Sequence, residues 1–389
     1  MAELSRPLPG GFWRVASGGL AATLIGNGLG RFAYTPLIPV LIAAGWFAPA
    51  EASYLAAANL AGYLFGALLA DRLSRVLGGT DAIRLAAIVT ALSLLACGWN
   101  LGFVWYAGWR FLAGVTGGVL MVLAVPVVLA MTSPDRRGSA AGVAITGIGL
   151  GITASGLIIP ALAGSGPRII WLALAAGAAA LTVYIWFALP RERADGVTTA
   201  KPAPRLPRAV WPLLAAYGCD AIGFIPHTVF WIDFIARALG HGLASGGTHW
   251  IVFGCSVVIG PLLCGLFADR FGLGLAFVLS MALKALGVGL PLISTDPVAL
   301  YASSVVVGML VSGSTSLCSA WTAELVGLAD HRRVWGWMTG GFGAALAAGA
   351  WALSHIFALT HAYLPLFAIA AGALLAGAAL SALTLSQRR

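Results

Sequence analysis

The stretch Gly26 to Val40, GNGLGRFAYTPLIPV, decides the fold. It sits inside an apolar run from about residue 15 to 44, long enough to cross a bilayer with tilt to spare. Arg31 stands near the middle of that run. An arginine at membrane depth costs several kcal/mol, so it must face protein or water rather than lipid. Asn27, Arg31 and Tyr34 are four and three residues apart, which places them on one face of a helix, opposite a surface of Leu, Ile, Ala and Phe. Glycines and prolines in the stretch let neighbouring helices come close and let the helix bend. Two readings follow. The arginine either caps carbonyls of adjacent helices or faces a central cavity, and the polar face favours the cavity.

Working outward, the composition excludes a soluble domain. Sixty per cent of the 389 residues are hydrophobic and nine per cent are charged, with a mean hydropathy of +0.94. Twelve apolar runs of helical length follow one another, at roughly 15–44, 51–71, 82–101, 104–131, 139–163, 169–189, 209–238, 246–268, 273–294, 297–326, 334–358 and 362–385. They do not alternate polar and apolar residues, which excludes a β-barrel. The first run is too long for a signal peptide's apolar core, so no cleavable leader is expected. The net charge of +9 comes from residues spread over loops without interleaved aromatics, and nucleic acid is not an expected partner. Most Lys and Arg fall in alternate loops, which predicts an even number of crossings and both termini in the cytoplasm. The five cysteines, all in apolar runs, make no metal-ligand spacing and read as buried thiols, and no cofactor or metal is expected.

The chain is also duplicated. Asp71 in ALLADR and Asp269 in GLFADR are 198 residues apart, Asp135 and Asp330 are 195 apart, and GLGRF at Gly28 is echoed by AIGFI 193 residues on. Three matches at nearly one offset predict six helices plus six. The division is residues 1–190, a polar, proline-rich and basic linker at 191–208, and residues 209–389.

Paired elements of the form Ala67-x-x-x-Asp71-Arg72 and Gly265-x-x-x-Asp269-Arg270, after the second helix of each half, resemble those of the major facilitator superfamily of secondary transporters. The NGLGRFAYTPLIP stretch further resembles the YbfB/YjiJ-type bacterial branch. The resemblance spans essentially the whole chain. It implies an all-α polytopic membrane protein of twelve helices in two bundles that rock about a midplane substrate site. Arg110-x-x-x-Gly114 resembles the helix-4 motif of the superfamily, which implies a role for Arg110 in proton coupling. The glycine-rich helix 5 departs from the pattern of the antiporters, carrying Gly156-x-x-x-Pro160 in place of a Gly-Pro pair.

Asp71, Arg72, Asp269, Arg270 and Glu324 are candidate gating charges, able to form a network in one conformation and break it in another. Ordinary loop charges are the alternative. Asp220 lies about 11 residues into helix 7, with His227 and Trp231 on the same face, and aligns with Asn27 of the first half. It is the candidate for proton coupling, through alternation between solvent and an arginine. A permanent Asp220–Arg31 pair is the alternative. Asn27, Arg31, Tyr34, Asn59, His227, Trp231 and Trp321 are candidate substrate contacts, with His249 and His355 as weaker ones. Asp233 and Arg237 read as a surface pair, and Lys284 as a peripheral or snorkelling lysine. These residues together predict a monomeric secondary transporter of the bacterial inner membrane. It would be proton-linked, with lipid, protons and a small anionic or zwitterionic solute as partners. A channel, sensor or lipid-handling protein of the same fold, and a polytopic membrane enzyme, stay open as alternatives.

Overall fold

A computed structural model of the chain describes residues 11–191 and 207–386. The termini and most of the expected 191–208 linker lie outside the described residues. The chain divides into two compact units, 1–194 and 195–389.

In the first unit, α1 is built from three consecutive pieces: Gly11–Thr23, a π-helical stretch Leu24–Phe32, and Tyr34–Ala43. Then come α2 (Pro49–Leu77), α3 (Gly79–Ala96), α4 (Phe103–Ala130), α5 (Arg137–Leu162) and α6 (Pro167–Ala188). The second unit repeats this plan. Its α7 runs through Val210–Gly223, Pro226–Phe230, Trp231–Asp233 and Phe234–Ala238, again with π-helical turns. It is followed by α8 (Gly242–Phe271), α9 (Leu273–Gly289), α10 (Pro297–Gly327), α11 (Arg333–Thr360) and α12 (Leu364–Ser386). A helix with few polar residues on any face buries itself against neighbours and lipid, and exposed Leu68, Val76, Leu157, Phe187, Leu262 and Leu286 provide the lipid-facing surface.

The two units fold by the same local rules. Gly78 ends α2 at φ +84° and Gly272 ends α8 at φ +89°, a conformation that a side chain resists. They sit at corresponding places after the duplicated Asp-Arg elements. The α2–α4 seam is closed by backbone contact. A Cβ on Gly114 would lie 1.9 Å from the Asn59 carbonyl oxygen, and one on Gly66 would lie 1.9 Å from that of Val115. In the second unit the α8–α10 seam is closed likewise, where a Cβ on Gly260 would lie 1.8 Å from the Met309 carbonyl oxygen. Small residues let membrane helices associate where no hydrophobic drive is available. Gly114→Ala should therefore lower the melting temperature by several degrees, by overpacking worth about 1–3 kcal/mol. Gly108→Ala, on the same helix facing open space, should leave it unchanged. Equal melting temperatures for the two variants would count against a packed seam.

Candidate functional site

The π-helical turn in α1 changes which carbonyls the helix can satisfy itself. A widened turn leaves backbone groups for other partners, and the Gly30 carbonyl accepts from Arg110 Nη1 at 2.9 Å and from Asn59 Nδ2 at 3.4 Å. Asn59 Nδ2 also donates to the Arg110 carbonyl at 2.9 Å. The Arg110 guanidinium lies 4.3 Å over the Tyr34 ring, whose hydroxyl donates to the Ala52 carbonyl at 3.0 Å. Asn27, Tyr34, Asn59 and Arg110 are all buried, and Arg31 is half-buried, its guanidinium 4.7 Å from the Phe32 ring and 5.4 Å from that of Tyr63. Arg110 was expected to serve proton coupling. Among the described residues its partners are a carbonyl and aromatic faces, with no carboxylate.

The second unit holds the opposite arrangement, a cation with its acid. Lys284 of α9 donates to Asp220 Oδ1 at 2.7 Å and to Ser314 Oγ at 2.9 Å, while the Ser314 hydroxyl lies 3.0 Å from Asp220 Oδ2. Lys284 is 0% exposed and Asp220 1%. The sequence offered Arg31 as the cation for Asp220 and put Lys284 at the periphery. Both expectations are corrected: the carboxylate is engaged by a lysine of its own unit. The signal was present in the sequence, because a lysine inside an apolar helix needs a counter-charge and only Asp220 and Asp233 stand deep in apolar runs of this half.

His227 and Trp231 do share a face, with rings stacked at 4.3 Å, but that face is the interior of the unit. His227 Nε2 is 2.7 Å from Ser303 Oγ, and the Ser303 hydroxyl donates to the Gly287 carbonyl at 2.7 Å. Since the serine proton is committed, Nε2 carries the imidazole hydrogen. Trp231 Nε1 donates to Ser304 Oγ at 2.9 Å, and His249 stacks on Tyr301 at 3.9 Å. Trp321 is enclosed by Phe277 and Gly274. His227, Trp231 and Trp321, expected as substrate contacts, are packed inside the unit.

The expected Asp233–Arg237 pair forms, with Arg237 exposed, but its carboxylate is buried rather than at the surface. Asp233 is buried, Arg237 Nη2 donates to its Oδ2 at 2.8 Å, and the Tyr363 hydroxyl donates to the same carboxylate. Burial, and then the nearby Asp233 carboxylate, raise the Tyr363 phenol above its ordinary range, which keeps it a donor. The candidate gating charges Asp71, Arg72, Asp269, Arg270 and Glu324 are exposed. Asp71 pairs with Arg75 one turn along its own helix at 3.1 Å, a contact of little energetic weight. The sequence reading missed a clamp on the end of α6. Arg84, paired with Asp81 at 2.8 Å, donates to the Trp186 and Leu189 carbonyls, and Arg14 donates to that of Phe187. Arginines at a helix C-terminus satisfy its last carbonyls. The five cysteines form no disulfide, and Cys255 is exposed rather than buried.

Two units of six helices with matching seams and discontinuous first helices define the major facilitator fold. The sequence model of the family described as "Uncharacterised MFS-type transporter YbfB" matches residues 23–382, and the chain belongs to that family. No curated protein matches the chain. Among solved structures it is similar to a D-xylose-proton symporter, at 15% identity and a TM-score of 0.73, covering 95% of this chain and 96% of the other. It is likewise similar to the inward-open xylose transporter XylE from E. coli, at 15% identity and a TM-score of 0.73, covering 94% and 95%. At that identity the likeness establishes the fold.

Proposed function

We propose that the chain is a proton-linked secondary transporter of a small anionic or zwitterionic organic solute. The observation that carries this reading is the buried Asp220–Lys284–Ser314 group between α7, α9 and α10. A buried ion pair adds little net stability over apolar residues of similar volume, so its presence at membrane depth points to use. Asp220 can accept a proton only if Lys284 finds another acceptor, and Ser314 already touches both. Proton binding is thereby tied to a rearrangement of α7 against α9 and α10, the kind of two-state element that alternating access needs. The half-buried Arg31, in the π-helical part of α1, supplies the positive charge for an anionic group.

The bacterial inner membrane, both termini in the cytoplasm, a monomer, and units divided at 191–208 complete the proposal. The distribution of Lys and Arg over alternate loops supports the orientation. The test uses purified protein and a panel of labelled small carboxylates and amino acids, screened first for compounds that raise the melting temperature. In proteoliposomes, at least one compound should exchange by counterflow at equal pH and accumulate when the outside is acidified. Flux that never exceeds equilibration would support a channel, and exchange without acid-driven accumulation would remove proton coupling.

A further inference from the structure

The two units treat their buried cations differently. Lys284 is neutralised by Asp220 within its unit. At the matching position of the first half the residue is Asn27 rather than an acid, yet that unit still buries Arg110, 1% exposed. Among the described residues, Nη1 is the nitrogen of Arg110 that donates to a protein acceptor, the Gly30 carbonyl. Nε is buried and unbonded among the described residues, and Nη2 donates to no protein atom there either. The Nε/Nη2 edge is the side of a guanidinium that receives a carboxylate with two parallel hydrogen bonds. Beside it, the ring centre of Trp171 lies 6.0 Å from the guanidinium. Tyr34 covers one face of the guanidinium at 4.3 Å. Desolvating a guanidinium without a counter-charge costs several kcal/mol, and carbonyls and ring faces offset only part of it.

From this geometry we infer that the Nε/Nη2 edge of Arg110 is a binding site for a small anion, either a free halide or a carboxylate group of a solute. Both offer what the edge lacks: a compact negative charge that accepts hydrogen bonds and donates none. The proposed site is separate from the Asp220–Lys284 group and is read by binding alone, so it stands or falls independently of proton coupling.

The experiment measures melting temperature of the full chain in detergent against sodium chloride and sodium acetate, with sodium sulfate at matched ionic strength as reference. Chloride or acetate should raise it by several degrees as concentration passes well above Kd. A response to chloride alone marks a free-halide site, and one to acetate marks a carboxylate site. Arg110→Lys should weaken the effect at least tenfold and Arg110→Gln should remove it. No anion-specific rise in the wild type overturns the proposal, as does a rise that persists undiminished in Arg110→Gln. If that variant does not fold, bromide soaked into wild-type crystals decides. Anomalous density within hydrogen-bond reach of Arg110 Nε supports the site, and density only elsewhere overturns it.

Discussion

Asp220→Asn should reduce the yield of folded protein sharply, because it leaves Lys284 charged, desolvated and without its acid. Breaking one side of a buried pair costs about 3–5 kcal/mol, and the group here is fully enclosed, with only the neutral amide oxygen and Ser314 Oγ left as acceptors for the ammonium. Lys284→Gln alone should also destabilise. The double variant Asp220→Asn with Lys284→Gln removes both charges and keeps groups able to hydrogen-bond to Ser314, so its melting temperature should return most of the way to wild type. Transport separates structure from mechanism. The double variant should exchange by counterflow whichever labelled carboxylate or amino acid the wild type carries, but should fail to accumulate it on outside acidification. A purely structural pair predicts that accumulation recovers along with stability. The decisive quantities are melting temperature and the ratio of accumulation to exchange for the four proteins, and recovery of both in the double variant would remove the pair from proton coupling.

The residues that misled the sequence reading share one physical cause. Apolar runs, loop charges and a repeat offset depend on composition and spacing, and these located the helices of the described residues and the repetition of their plan. The contacts inside each unit depend on which faces meet. Asp220 and Lys284 are 64 residues apart, and nothing local to either announces the other. Helix faces were drawn with a regular 3.6-residue turn, whereas α1 and α7 contain wider π-helical turns at Leu24–Phe32, Pro226–Phe230 and Phe234–Ala238. Such turns alter the facing of everything beyond them, which is why Asp233 lies buried against Tyr363 instead of at a surface. The spacing of Asn27, Arg31 and Tyr34 tolerated the distortion better, since a four- or three-residue step stays near one face in either geometry. Polar residues in apolar runs suggest a cavity face, but His227 Nε2 and Trp231 Nε1 are paired with Ser303 and Ser304, which serve as internal partners in a membrane bundle.

Arg31→Ala should abolish binding of the solute while leaving the protein folded, the opposite pattern to Asp220→Asn. Arg31 is half-buried as a residue and lies against the rings of Phe32 and Tyr63, so its truncation leaves no opposite charge stranded, whereas a change at Asp220 strands Lys284. Arg31→Lys keeps the charge but loses the planar fork, and affinity for a carboxylate should fall about tenfold or more. The engagement of Asp220 by Lys284 changes what pH should do. With the carboxylate already held in its own unit, substrate need not compete with Asp220 for the Arg31 guanidinium. Arginine stays charged at any reachable pH and a simple carboxylate is ionised above about pH 5. Affinity measured at equilibrium should therefore be flat between about pH 5 and 8 in wild type and in the double variant. Only acid-driven accumulation should carry the pH dependence. Binding by isothermal titration of a compound found in the melting-temperature screen, repeated across pH, gives the answer. Full affinity in Arg31→Ala would move the substrate's negative group away from α1's π-helical turn, leaving the Arg110 edge as the place to look for it.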